Sequence, residues 1–309
     1  MIVEFLIEIF LGIILVLTGL ILWTYRQRNI FNNVDFPVLR TNSLFGAFSD
    51  VFTGKQGFYE NVLSLYNRKE VKDAPFFGVF LFHKPALVVN DPELIKKILI
   101  SDFDKFPNRY AASDVHDPVG HYNIFSAKSP LSKYLRSKLS PFFSSVKLKT
   151  MYYLLDKISS DLAEHVHKRL DKDGRVELEL KELSALYSTD VIASCAFGVE
   201  ANSLVNPEGE FRKAGAAMTN ITLWRGFELS AFFMLPQCMR LFGFTFFSKA
   251  LNELIQKVIP TVIAERKKTG NRRNDLIDTL IEIKNSDARM TDDIILAQAG
   301  GLFVAGNKK

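Results

Sequence analysis

The residues that most constrain this chain are Phe5 to Trp23, FLIEIFLGIILVLTGLILW. Wound as a helix, a run of this length is about long enough to cross a hydrocarbon core of roughly 30 Å. The N-terminus therefore predicts one transmembrane helix. Its one internal charge, Glu8, lies near an end, where it can reach the interface. Trp23 and Tyr25 follow as interfacial aromatics, then Arg26 and Arg28, with Glu4 and Glu8 on the other side. That bias places the bulk of the chain on the cytosolic face. A cleaved signal peptide fits less well, because no basic residue precedes the run and no small-x-small site follows it. No comparable charge-free segment recurs before the C-terminal quarter, so a single-pass protein is expected.

Composition narrows the remainder. A chain of 309 residues that is 48% apolar and 24% charged is ordinary globular material, which excludes disordered and collagen-like classes. The 2 cysteines, Cys195 and Cys238, have no paired spacing, which excludes a disulfide scaffold or a cysteine zinc site. A net charge of +5 is too diffuse to argue for nucleic acid. The 27 Phe, against 9 Tyr and 2 Trp, predict an oily interior or a lipid-facing surface. His165 and His167 are two apart on a predicted helix and cannot share a metal. His116 and His121 share a loop without an H-E-x-x-H pattern. No metal site is expected from side chains. No Walker loop, G-x-G-x-x-G or G-x-S-x-G elbow occurs.

The pattern after the anchor is mainly α with a small β-sheet. Residues 1–28 read as membrane anchor and basic flank, 29–57 as a connector, and 58–309 as one helix-rich body. Phe76–Phe82 and Ala86–Val89 flank His83-Lys84-Pro85 as a hairpin. Asp91-Pro92-Glu93 starts a helix. Residues 110–128 form a loop, and a basic helix over 131–143 stops near Pro141. Met151, Leu155, Ile158, Leu162 and Val166 keep helical spacing over 148–170. Arg175 to Leu180 alternates like a half-buried strand, and helix resumes to a stop at Gly198. Residues 211–226 look helical. Phe227–Phe247 holds seven Phe but is too broken to span a membrane, and reads as either core or a lipid-contacting patch. Helices follow over 249–268, kinked at Pro260, after Asp275, and after Thr291-Asp292-Asp293. The last is almost wholly apolar to Gly306.

Four colinear segments carry a resemblance. They are LVVNDPELIKKILISDFDKFPNR (87–109), LRSKLSPFFSSVKLKTM (135–151), STDVIASCAFGVEANSLVNPEGEF (188–211) and MTDDIILAQAGGLFVAG (290–306). Together they resemble microsomal cytochrome P450 monooxygenases, nearest the insect xenobiotic-type branch. The resemblance implies a heme-thiolate oxidoreductase on the cytosolic face of the endoplasmic reticulum. Such an enzyme takes electrons from NADPH through an NADPH-cytochrome reductase. It inserts one oxygen atom from dioxygen into hydrophobic small molecules. The cofactor so implied is heme b.

The same resemblance assigns residues one by one. Arg136 matches the helix-C arginine that pairs with a heme propionate; Ser132 stands where the family has a second propionate contact, a tryptophan. Arg109 resembles another propionate partner. Ala305-Gly306 matches the oxygen groove of the central helix I, while Asn307, Lys308 and Lys309 replace the acid and threonine of proton delivery. Gly300 and Gly301 replace bulkier residues, and two interior glycines at about 1 kcal/mol each predict a looser helix. Neither cysteine lies in F-x-x-G-x-R-x-C-x-G, and no E-x-x-R occurs, so the resemblance implies a P450-like fold truncated within helix I, without its iron ligand and inactive as written. The loop 110–128 falls on a substrate-contacting region and 227–247 on one that rests on the membrane. Lys96, Lys97, Lys133, Arg136 and Lys138 fall near the face that meets the reductase. The competing reading is a non-catalytic, membrane-anchored helical protein that binds lipids or partners.

Overall fold

The computed structural model describes residues 2–306, so Asn307, Lys308 and Lys309 lie outside the described residues. The chain is mainly helical with one two-stranded sheet, and it forms two units, Met1–Pro107 and Asn108–Lys309.

In the first unit the apolar run forms helix α1 (Ile2–Gln27), continued by a 3-10 turn, Arg28–Phe31. The stretch Phe10–Phe31 is the one among the described residues long and apolar enough to cross a membrane. Further on come α2 (Ser49–Phe52) and α3 (Phe58–Tyr66). Strands β1 (Phe76–Leu81) and β2 (Lys84–Val89) pair antiparallel, with Phe76 opposite Val89 and Leu81 opposite Lys84. The turn is thus two residues, Phe82-His83, tighter than the spacing suggested, and Phe82 takes the positive φ of 55° that such turns demand. The segment read as a connector packs along β1. Gly78 N–H donates to Pro37 O (2.9 Å), Leu39 N–H to Gly78 O (2.9 Å) and Ala47 N–H to Phe80 O (2.7 Å). A Cβ on Gly46, at φ +68°, would lie 1.9 Å from Phe80 O, so only glycine permits this approach. Leu39, Leu65, Val71, Phe77 and Val79 form the core. Asp91 starts α4 (Pro92–Lys96) as predicted, accepting from Leu94 N–H at 2.7 Å.

The second unit opens on the loop that carries the short helix α5 (Pro118–His121). Helix α6 (Leu131–Leu139) gives way to a 3-10 turn at Pro141, and Ser144 then caps α7 (Ser145–His167). Met151 and Ile158 are buried on α7, with Leu155, Leu162 and Val166 half-buried. The strand expected over Arg175–Leu180 does not form. Val176 and Leu178 are half-buried between exposed neighbours, as alternation predicts, yet among the described residues no strand pairs with them. Without a ladder partner the segment is extended coil, and α8 (Leu180–Ile192) begins at its last residue.

A π-turn, Ala193–Phe197, ends at Gly198, whose φ of +68° makes it the stop that the sequence predicted. The helix expected over 211–226 is two helices, α9 (Glu210–Thr219) and α10 (Leu223–Met234). They break because the Thr222 hydroxyl caps α10, accepting from Arg225 N–H at 3.2 Å. Then come α11 (Gln237–Phe242), α12 (Lys249–Thr269), which runs on through Pro260, α13 (Leu276–Ser286), capped by Asp275, and α14 (Asp292–Gly306). The main core joins Leu135, Phe197, Leu251, Ile255, Ile259, Leu276 and Phe303.

Candidate functional site

Helix α14 is buried on every side: Ile294, Ile295, Ala297, Gln298, Ala299, Gly300 and Phe303 are all enclosed. Enclosure all round is the reason for its near-uniform apolar sequence. Gln298 is the exception, and its amide is satisfied. Its Nε2 donates to Tyr122 O (2.7 Å) and Ile294 O (3.2 Å), and its Oε1 accepts from Ile124 N–H (3.0 Å). Asn123, equally buried, answers from the loop. Its Nδ2 donates to Ala297 O (2.7 Å), and its Oδ1 accepts from Phe125 N–H (2.9 Å). Residues 122–125 are thereby clasped to the middle of α14 by two side-chain amides.

The clasp gives Gly300 and Gly301 a packing role. The helix is continuous through both, and neighbours occupy the space that side chains would take. A Cβ on Gly301 would lie 1.9 Å from Asn123 Nδ2, and one on Gly300 would lie 2.6 Å from Ile255 Cδ1 and 3.2 Å from Val119 Cγ1. Their low helix propensity is the condition for loop and α12 to approach the backbone. Gln298→Leu should therefore cost about 1–3 kcal/mol, because Ile124 N–H loses its buried acceptor. Hydrogen exchange checks this: the Ile124 amide should exchange faster while the α12 amides keep their protection.

The other side of the loop is fastened too. Asp117 is buried; its Oδ2 accepts from Ser113 Oγ (2.7 Å) and Phe246 N–H (2.8 Å), and its Oδ1 from Gly120 N–H (3.2 Å). The loop histidines are not free ligands: His116 Nε2 donates to Phe244 O (2.8 Å) and His121 Nδ1 to Ser113 O (3.0 Å). Phe125 stacks near Phe232 and Phe246, and the Arg109 guanidinium lies 5.0 Å from the Phe125 ring centre. Loop 110–128 thus borders a phenylalanine-rich interior. The Phe-rich segment divides: Phe232, Phe244 and Phe247 are core, whereas Phe227, Phe233 and Phe242 are exposed beside Leu223, Trp224 and Leu241.

Arg136 projects from α6 into solvent, and its guanidinium has no partner among the described residues. Arg109 is also exposed, its Nη1 donating to Phe125 O at 3.3 Å. Lys138 is engaged: its Nζ lies 3.5 Å from Asp287, whose carboxyl Arg289 holds well below the usual carboxylate range. Ala305 and Gly306 close α14, and a Cβ on Gly306 would lie 2.8 Å from Ile192 Cδ1. Cys195 is half-buried against the main core, and burial, with Asp275 second, pushes its thiol up to about 11. It is a weakly acidic, structural thiol. Cys238 packs on the cluster around Phe232 and Met239.

Asn123 and Asp117 carry no sequence signal that marks them. Gln298 does, as the lone amide in an apolar helix.

The family model for cytochrome P450 matches residues 40–308. Probable cytochrome P450 6g2 of Drosophila melanogaster is 40% identical over 262 residues, 80% of this chain and 50% of that protein. Probable cytochrome P450 6w1 of Drosophila melanogaster is 34% identical over 294 residues, 92% of this chain and 57% of its own length. Cytochrome P450 6k1 of Blattella germanica is 34% identical over 269 residues, 87% of this chain and 49% of its own. The chain belongs to the cytochrome P450 family, in the insect xenobiotic-type branch that its sequence resembles. It spans about half the length of these relatives.

The family implies heme. The residues present fit its propionate end alone: Arg136 offers an unengaged guanidinium fork, the geometry that suits a carboxylate. Neither cysteine fits the iron, since one thiol is desolvated in the core and the other packs in a phenylalanine cluster.

Proposed function

We propose that this chain is the N-terminal portion of a heme-dependent monooxygenase acting on hydrophobic small molecules. The observation that carries the reading is the clasp of loop 122–125 on α14, the helix whose sequence resembles the family's central helix, with Phe125 of that loop stacked on Phe232 and Phe246. Heme, when bound, supplies activation of dioxygen and insertion of one oxygen atom into substrate. This chain's own residues have other work. Arg136 and Arg109 would donate to the propionates, Ala305-Gly306 would leave room beside the helix, and Phe125, Phe232 and Phe246 would exclude water from the substrate side. Electrons come from NADPH through a membrane-bound reductase, which meets the basic surface of α6 that carries Lys133, Arg136 and Lys138. The α1 helix is a single-pass anchor in the endoplasmic reticulum, with the body on the cytosolic face. The exposed Leu223, Trp224, Phe227 and Phe242 rest on lipid.

We expect these residues by themselves to be inactive, because neither thiol is placed to bind iron. The test is the carbon monoxide difference spectrum of the reduced chain after heme reconstitution. No thiolate-type Soret band is expected from these residues. Such a band would overturn the inactivity. Translating the transcript downstream of Lys309 then separates the two classes of protein. An E-x-x-R and a cysteine loop support the monooxygenase, whereas their absence favours a non-catalytic, membrane-anchored binding protein.

A further inference from the structure

Arg225, near the start of α10, is only 6% exposed, and its guanidinium is incompletely satisfied. Nη1 donates to Glu228 Oε2 (2.7 Å) and Thr245 O (2.8 Å), and Nη2 donates to Phe246 O. The second Nη2 hydrogen meets no oxygen. It is directed at Met218 Sδ, 4.0 Å away. Nε is buried and has no partner among the described residues. An enclosed guanidinium carries five N–H donors, and each one left without an acceptor costs free energy. The same sulfur has a second donor beside it: Ser248 N–H, at the N-cap of α12, reaches it at 3.2 Å. The Met218 thioether thus stands between two N–H groups where the end of α9 meets the starts of α10 and α12. A thioether is a weak acceptor, so both donors face it without a strong bond.

Accessibility singles out the same residue. Of the 6 methionines, Met1 lies outside the described residues, and Met151, Met234, Met239 and Met290 are buried. Met218 alone among the described methionines is half-buried, at the edge of the main core. Oxidation of a thioether adds one oxygen to the sulfur and makes the side chain polar and chiral. The gap to Arg225 suits that oxygen. At 4.0 Å it is longer than an ordinary hydrogen bond, and an oxygen carried on the sulfur would stand within hydrogen-bond reach of Nη2. The contact with Ser248, at 3.2 Å, leaves no such room. The two lone pairs of the sulfur are therefore unequal, and the side toward Arg225 is the one prepared for oxygen.

We propose that Met218 is an oxidation site whose sulfoxide oxygen is received by the Arg225 guanidinium, so that the junction of α9, α10 and α12 responds to peroxide. A sulfur lone pair attacks one oxygen of hydrogen peroxide. The S–O bond forms as the O–O bond breaks, the sulfur is oxidised by two electrons, and the peroxide is reduced. The proton on the transferred oxygen passes to the departing hydroxide, which leaves as water. A methionine sulfoxide reductase reverses the change. In the test, the full chain in detergent micelles is treated with dilute hydrogen peroxide, and each methionine is followed by peptide mass spectrometry. Met218 is expected to gain oxygen at least about fivefold faster than Met151, Met234, Met239 and Met290 while the helical circular dichroism is unchanged. A smaller margin overturns the site. The handedness of the sulfoxide tests the capture, read on the digested peptide with the two epimer-specific reductases. One epimer should exceed the other at least about threefold in the folded chain, and the two should be nearly equal in the urea-unfolded chain. A smaller excess in the folded chain overturns the role of Arg225. Arg225→Lys keeps the charge and shortens the reach. It should lose the excess while Met218 still oxidises first, and an excess retained there also overturns the capture. If Arg225→Lys fails to fold, the epimer ratio of the unaltered chain still decides.

Discussion

Asp275→Ala is expected to lower the stability of the second unit by about 3–5 kcal/mol, the cost of breaking a buried ion pair by removing one partner. Asp275 is fully buried, and it binds the equally enclosed Arg266 through both oxygens, at 2.7 Å to Nη1 and 2.6 Å to Nη2. Asp278 adds a further bond to Nη1 at 2.5 Å. Burial opposes the Arg266 charge, but the bonds to Asp275 and then Asp278 outweigh it and raise the guanidinium above its ordinary value. The sign is therefore one-sided. Arg266 stays charged at every working pH, and alkali does not relieve the defect. The same carboxylate caps α13, accepting from Asp278 N–H at 3.1 Å, so its loss also frays that helix. Gly198 makes the site intolerant of rearrangement, because a Cβ there would lie 2.0 Å from Arg266 Nη2. Asp275→Asn keeps an acceptor for the cap and for one arginine nitrogen, and should lose less. Thermal unfolding followed by circular dichroism in detergent checks the order. A loss below about 1 kcal/mol, the range of exposed ion pairs, would show that the network is not what joins α12 to α13.

Much of this network was half-visible in the sequence. Asp275 announced itself as a helix cap and Gly198 as a helix stop, because local chemistry decides both. That the two meet around Arg266 was not legible, since the arginine reaches them only once α12, α13 and the end of α8 are packed. The same division runs through the fold. The hairpin, the Asp91 start and the break at Pro141 follow from short-range rules, and all of them form. The strand at 175–180 fails for the opposite reason: its period-2 pattern is present in the burial, but a strand exists only with a neighbour. The continuous helix expected over 211–226 fails because a threonine hydroxyl at 222 competes for the backbone, a cap whose signal is weak among apolar neighbours.

The site divides along similar lines. Resemblance marked α14 and Arg136 through segments that keep recognisable spacing, and the loop 110–128 through its place between two of them. It also made Gly300 and Gly301 look like weaknesses. Propensity treats a glycine as lost order within one helix. Here the glycines are the places where Asn123 and Ile255 come against the helix backbone, a property of two other segments that no single-helix rule contains. Arg28 shows the same limit: the sequence places it among the charges after the anchor, and its carbonyl partners at Ser43 and Phe82 become visible only in the fold.

Phe303→Ala is expected to cost about 3–5 kcal/mol, the range for deleting a buried aromatic side chain. Phe303 is fully buried on α14, with its ring 5.4 Å from Phe197 in an edge contact and 6.2 Å from Phe211. Phe197 and Phe211 meet each other edge-on at 5.4 Å, so three rings from α14, the π-turn after α8, and α9 close one triangle. Each edge contact adds about 0.5–1.5 kcal/mol beyond its buried area, and removing Phe303 breaks one of the two edge contacts together with the tilted contact to Phe211. The cavity cannot collapse readily, because Phe197 is itself fully buried and fixed by the Gly198 stop. Phe303→Leu retains much of the volume and none of the ring contacts. It should fall between wild type and alanine, so the difference between the two variants separates the ring geometry from the cavity. The functional consequence runs through α14. If the triangle sets where the helix lies, the alanine variant should also speed hydrogen exchange at Ile124, whose amide depends on Gln298 at the middle of the same helix. A destabilised chain with unchanged Ile124 protection would mean that the clasp and the triangle hold α14 independently. A loss of less than about 1 kcal/mol would mean that the rings touch without fixing the helix at all.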